Sequence, residues 1–263
     1  MKVNGASVFT TILSLFVFST TAVVPTAQTA DAAATAVLKR ARQWAGEPAL
    51  AKVQSISVAW QRQSVQVKQQ WRLRWPDHFQ TRYSQSGVPF SQARPEDLQA
   101  NTLDGTNFWQ KFSVQVPPDS TARAKRGSLT DFTRVALTYL LRLPARSDVA
   151  VKALGRRAIL GMDGDAILVT DPNGVFHVFM FDANTGALLG YVWNTKADGG
   201  VNGPTDHRVE RFLDFRDVGG IKFPFRVEET WDAPAGTKPQ VTIRDVHLIE
   251  LNTLSAADFK QPK

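Results

Sequence analysis

The sequence predicts a mainly β (α+β) fold in which one antiparallel sheet of roughly eleven strands curls around two helices. Three observations predict it. Beyond Lys52 the apolar residues recur with a period of two instead of about 3.6, the links between these runs are short turn sequences, and only two stretches keep helical spacing. Two helices are too few to cover both faces of such a sheet. Covering one face and curling around the helices is the economical arrangement.

The chain opens on a targeting signal. Lys2 precedes an apolar run from Val8 to Val24 broken only by Ser and Thr, and Ala30-Asp31-Ala32 forms a small-residue exit, so residues 1–32 read as a secretory signal peptide. The central stretch Val8 to Phe18 is short against the roughly 20 apolar residues of a spanning helix. Residues 33–263 then form a single domain, in which no later segment is apolar enough to span a bilayer.

Val37, Leu38, Ala41 and Trp44 share one face of a helix from Thr35 to Trp44, with Lys39, Arg40 and Arg42 opposite and Gly46 as its stop. Pro48 suits the first position of a short turn through Ala51. The clearest alternation follows, with Val65, Val67, Trp71, Leu73 and Trp75 on a dry face and Gln66, Lys68, Gln70, Arg72 and Arg74 on a wet one. Similar runs cover 54–60, 79–84, 106–116, 150–160, 166–170, 175–182, 187–195, 207–216, 221–231 and 240–251. Turn sequences such as Asp104-Gly105, Asp163-Gly164, Asp171 to Gly174, Asp182 to Gly186 and Gly219-Gly220 join several of them, which makes neighbours antiparallel. The second helix is expected over Leu129–Leu143, with Leu129, Phe132, Ala136, Leu140 and Leu143 on one stripe. Ser128 and Asp131 resemble a capping box, and Pro144 ends it.

Composition narrows the chemistry. The chain has no cysteine, which removes disulfides, thiolate metal sites, a cysteine nucleophile and a lipid-modified N-terminal cysteine. Its net charge of +7 is kept after the leader, whose charged residues are Lys2 and Asp31, and favours anionic partners. The four histidines, His78, His177, His207 and His247, have no metal-ligand spacing. There is no Gly-x-Ser-x-Gly elbow and no phosphate-cradling or dinucleotide glycine motif; the aspartate-rich turns lack a calcium loop's alternating ligands. No catalytic residue, metal or cofactor is therefore expected. The basic run Arg123, Lys125, Arg126, with Arg134 and Arg142 on the helix that follows, suits phosphate or lipid head groups or else a solvated loop; the solvated reading is favoured, since nearby aromatics follow core periodicity instead of interleaving with it as on a nucleic-acid platform.

Phe212-Leu213-Asp214-Phe215-Arg216-Asp217-Val218-Gly219-Gly220-Ile221-Lys222-Phe223-Pro224-Phe225, then Val241 to Leu251 and the closing Asp258 to Lys263, resemble the bacterial lipoprotein-localisation superfamily, the LolA/LolB-like proteins. Ala41 to Val53, Asp104-Gly105 before Trp109, and Asp182 to Gly186 resemble that family's N-terminal helix and turns. The resemblance implies an incomplete antiparallel β-barrel with helices over its concave side and an apolar cavity between. It implies a periplasmic carrier or binding protein for a lipid, a lipoprotein acyl chain or another hydrophobic ligand, with envelope or membrane proteins as further partners. The family's functional arginine has no single counterpart; Arg72 and Arg74 lie on the right kind of strand. A non-enzymatic envelope sensor or scaffold with a filled core is the alternative, and a secreted hydrolase the third.

On the cavity reading, Phe132, Ala136, Leu140 and Leu143 face Trp71, Leu73 and Trp75 as the ligand-binding residues. The same periodicity serves a filled core equally. Between two strands, Val88 and Phe90 in Gly87-Val88-Pro89-Phe90 are the candidates for an apolar tip that docks on a membrane or partner; Phe90 folded back onto its own sheet is the other reading.

Overall fold

The computed structural model describes residues 31–63, 68–84, 98–112, 118–143, 148–195, 208–231 and 240–261. Twelve strands form one sheet: β1 (Ser55–Arg62), β2 (Lys68–Arg74), β3 (His78–Ser84), β4 (Leu98–Asp104), β5 (Asn107–Lys111), β6 (Ala150–Ile159), β7 (Met162–Thr170), β8 (Phe176–Phe181), β9 (Leu188–Thr195), β10 (Arg208–Val218), β11 (Ile221–Trp231) and β12 (Gln240–Leu251). Their order is β5-β4-β3-β2-β1-β12-β11-β10-β9-β8-β7-β6, so β5 and β6 are edges and the sheet is an unclosed, curved half-barrel. Two meanders, β1 to β5 and β6 to β11, are joined where β12 inserts between β1 and β11.

The extra strand is β4. Its sequence Leu-Gln-Ala-Asn-Thr-Leu-Asp carries a weak apolar signal, yet Leu98, Ala100, Thr102 and Leu103 are buried. Pairing on both sides, to β3 and β5, makes a strand of a polar run that propensity alone leaves as a loop.

Helix α1 (Ala32–Ala45) starts where Asp31 accepts the Ala34 amide at 2.6 Å and stops at Gly46, whose φ of 113° is left-handed. Asp31 also holds the start of the helix to β6. Its amide donates to Val151 at 3.3 Å, and its second carboxylate oxygen accepts the Ala153 amide at 2.9 Å. At the other end, a Cβ on Gly46 would stand 2.0 Å from the Gly220 carbonyl oxygen, so only glycine lets α1 close onto the β10–β11 turn. Its buried face, Ala34, Val37, Leu38, Ala41 and Ala45, lies against β6, β7 and β11.

Helix α2 corrects the expected boundary. It runs from Pro118 to Val135 and continues as a π-helical turn, Ala136–Leu140, which Leu141 ends in the left-handed region. Ser128 is therefore buried inside the helix and is not its cap, and the basic run Arg123, Lys125, Arg126 is helical. Those first ten residues carry no apolar stripe because most of them face water. Pro118 and Asp119 supply the chemistry of a helix start instead. Pro144 lies outside the described residues.

The main core joins α1, α2 and one face of the sheet, around Ile56, Leu73, Phe79, Leu137, Leu140, Phe179, Phe223 and Phe259. A smaller cluster, including Met162, Ala166, Val178, Met180 and Val192, packs separately from it. Among the described residues no helix is long and apolar enough to cross a membrane.

Candidate ligand-binding site

Residues 141–143 follow the π-helical turn and pass α1 and the β2–β3 turn, leaving an open cleft of ≈ 590 Å3. Leu38, Trp75, Leu141 and Leu143 supply its apolar wall, and Lys39, Arg42, Glu47 and Arg142 its charged groups. Arg142 is fixed there by three backbone carbonyls. Its Nη1 donates to Val53 at 2.8 Å, and its Nη2 to Ala51 at 2.7 Å and to Leu50 at 3.2 Å, with the guanidinium 5.6 Å from the Trp75 ring. Partial burial and the neighbouring Arg42 lower the Arg142 pKa. Arg42 pairs with Glu47 at 2.5 Å.

Beneath α2 the described residues pack closely against the sheet, and part of that packing is charged. Glu210 on β10 and Glu229 on β11 sit directly opposite each other, 1% and 0% exposed. Arg134 from α2 donates to both Glu210 oxygens at 3.0 and 3.1 Å. Arg244 from β12 lies 2.6 Å from Glu210 and 3.3 Å from Glu229, and Arg208 approaches both carboxylates. Burial by itself would raise the Glu210 carboxyl, but Arg134, Arg244 and Arg208 outweigh it and hold it far below the usual carboxylate range. Aromatic faces complete the surroundings: Trp71 lies 4.7 Å from the Arg134 guanidinium and 5.5 Å from that of Arg244. The space left among Trp71, Arg134, Tyr139, Glu210, Phe212 and Arg244 is ≈ 10 Å3, about enough for one water.

The residues grouped by their apolar phase thus divide between two places. Trp71, Leu73, Phe132, Ala136 and Leu140 are buried in the main core, where Tyr139 lies 6.3 Å from Trp71 and Phe132 lies 6.1 Å from Phe79. Trp75 and Leu143 line the cleft. Val88 and Phe90 lie outside the described residues. Arg72 ties β2 to the C-terminal turn instead of facing the helices, donating to Gln80 at 2.8 Å and to Asp258 at 2.6 Å.

A second polar chain joins Tyr191, His177 and Asp171. The Tyr191 hydroxyl is 3.2 Å from His177 Nδ1, and His177 Nε2 is 3.3 Å from an Asp171 oxygen that also accepts from Thr130 on α2. All three residues are buried and burial pushes the Tyr191 phenol well above its usual value, so the chain braces α2 against β7–β9. Among the described residues no three His, Cys, Asp or Glu side chains gather as a metal site would require.

The order and curvature of this sheet have a counterpart among solved structures. A LolA superfamily protein from Nitrosomonas europaea superposes with a TM-score of 0.54 at 17% identity, over 87% of this chain and 97% of that one. The fold is LolA-like. An outer membrane lipoprotein-sorting protein domain from Vibrio parahaemolyticus gives a TM-score of 0.48 at 13% identity, over 86% and 97% of the two chains. No family model and no curated protein matches the sequence. In this LolA-like half-barrel the helices lie where the resemblance places them, on one side of the sheet.

Sequence reasoning missed the ion cluster. Its signal was nevertheless present: Glu210 shares the phase of Phe212, Glu229 that of Val227, and Arg244 that of Val246, so three neighbouring strands each put a charge at an inward position.

Proposed function

We propose that this chain is a non-enzymatic periplasmic carrier or binding protein for a lipid, a lipoprotein acyl chain or another hydrophobic ligand. The reading takes residues 1–32 as its export signal. The observation that carries it is the cleft at the junction of α1, Trp75 and residues 141–143 on a LolA-like sheet, a size ordinary for small-molecule sites. Acyl chains have no directional groups, so an apolar wall holds them at about 0.8 kcal/mol per buried methylene. Trp75 and Leu143 are the expected residues that such a chain meets first. The interior set, Trp71, Leu73, Phe132, Ala136 and Leu140, would be reached when α2 lifts from the sheet.

Protein purified from envelope extract without detergent should release lipid in mass spectrometry and should bind a fluorescent fatty-acid probe. Trp75→Ala should weaken the probe by about fivefold, the value of one half-buried aromatic wall, with a modest fall in melting temperature from its packing against the core. Recovery of no lipid together with no probe binding rejects the carrier.

The close packing around the ≈ 10 Å3 space beneath α2 favours a second reading, an envelope sensor or scaffold that recognises a protein and holds no ligand. In either case Val88 and Phe90 form the docking tip. Phe90→Ser should reduce vesicle or partner binding in flotation and pulldown at unchanged melting temperature; equal binding removes that role.

A further inference from the structure

The charges around the cleft are unbalanced. Lys39, Arg42 and Arg142 face it with Glu47 as the single carboxylate, and Glu47 is already engaged by Arg42. Among the described residues Lys39 has no ion-pair partner, and Arg142 spends its hydrogen bonds on the neutral carbonyls of Leu50, Ala51 and Val53. Carbonyls orient a guanidinium without supplying a counter-charge, and Glu47, the one carboxylate whose charge reaches Arg142, is paired with Arg42. The positive groups border an apolar wall of Leu38, Trp75, Leu141 and Leu143. A purely hydrocarbon guest would satisfy the wall and leave Lys39 and Arg142 without an anion of their own.

We propose that the cleft binds one amphiphile at a time whose head group is acidic, a phosphate or carboxylate, with the tail along Trp75, Leu141 and Leu143 and the head between Lys39 and Arg142. This rests on the hydrophobic-ligand reading and names the class of ligand. Charge complementarity selects the occupant: the chain as a whole carries +7, and Lys39 and Arg142 line the same cleft, where among the described residues the one carboxylate, Glu47, is already paired with Arg42.

The test compares dodecyl phosphate, dodecanoate and dodecyl maltoside, each below its micelle concentration, by titration calorimetry on the whole exported chain. The two acids should bind about tenfold tighter than the maltoside, and their advantage should shrink as salt rises. Lys39 is exposed on α1, so Lys39→Gln leaves the fold intact; it should weaken the acids by roughly threefold to tenfold and leave the maltoside unchanged. Arg142→Gln should act in the same direction, with some loss of stability from its three carbonyl bonds. Equal affinity for all three amphiphiles overturns the head-group assignment while the carrier stands. Binding of none of them overturns both. Flotation with anionic vesicles and no uptake of monomers makes the patch a membrane-docking surface and overturns the proposal.

Discussion

Glu210→Gln should destabilise the protein by about 3–5 kcal/mol, the cost of removing one partner from a buried ion pair. The glutamate is where α2 and the sheet meet electrostatically: Arg134 comes from the helix, while Arg208 and Arg244 come from the strands. Neutralising it leaves Arg134 facing only Asp131 and crowds three guanidinium groups around an amide. For a chain of this size the melting temperature should fall by roughly 6–20 °C. The sign of the acid response follows from the same carboxylate. Its folded-state pKa is depressed below the ordinary value of 4.5, so its stabilisation is complete above that pH and is lost as the pH falls toward the folded value. The gap between wild type and Glu210→Gln should therefore narrow between about pH 4.5 and pH 2. Asp31, Asp171 and Asp258 are lowered as well but are common to both proteins, so they cancel in the difference. Urea titrations across that range measure it, and a gap that stays constant would show that Glu210 is not the ionised centre of the cluster.

Trp71→Ala is the second large effect. The indole is 5% exposed, 5.1 Å from Trp60 and stacked by two guanidinium groups, so its removal opens a cavity and strips both cations of an aromatic face. A loss of about 3–5 kcal/mol is expected from chemical denaturation. The informative readout is binding by the fraction that remains folded. If the cleft is the site, probe affinity stays within about twofold of wild type, whereas Trp75→Ala lowers it. The opposite pattern, with Trp71→Ala abolishing binding and Trp75→Ala leaving it intact, moves the ligand beneath α2 and requires the helix to lift.

Much of the architecture was legible because alternation survives wherever one face is dry. Strands β11 and β12 have the bounds read from sequence, and β1, β3, β8, β9 and β10 lie within a few residues of them. Legibility failed where burial came from partners in place of side-chain chemistry. Strand β4 is held by ladders on both sides although Gln99, Asn101 and Thr102 break its apolar pattern. The first half of α2 carries Arg123, Lys125 and Arg126 toward water, so periodicity began to register only at Leu129. For the site, the aromatic phase named Trp75 and Leu143 but merged them with Trp71 and Leu73. Trp71 and Leu73 lie on β2 whereas Trp75 stands in the turn just past Arg74, so one apolar phase leads from the core to the cleft; sequence phase reports the face and is blind to where the strand and the covering helix stop. Lys39 and Arg42 read as the polar side of α1 and Arg142 as one of the basic residues around α2, since only the fold brings residue 142 beside residues 39 and 42.

An unclosed sheet presents two rows of backbone donors and acceptors on which copies of the chain could stack into fibres. Strand β6, ten residues long, is the greater hazard. Its amide at Ala153 and carbonyl at Val151 are already occupied by Asp31, its ladder is offset between Ala153 and Gly155, and Lys152, Arg156 and Arg157 add repelling charge. The residue that begins α1 thereby also acts as a guard against self-association. Cleavage after Ala32, where the small-residue exit is expected, would remove Asp31 and open part of that template.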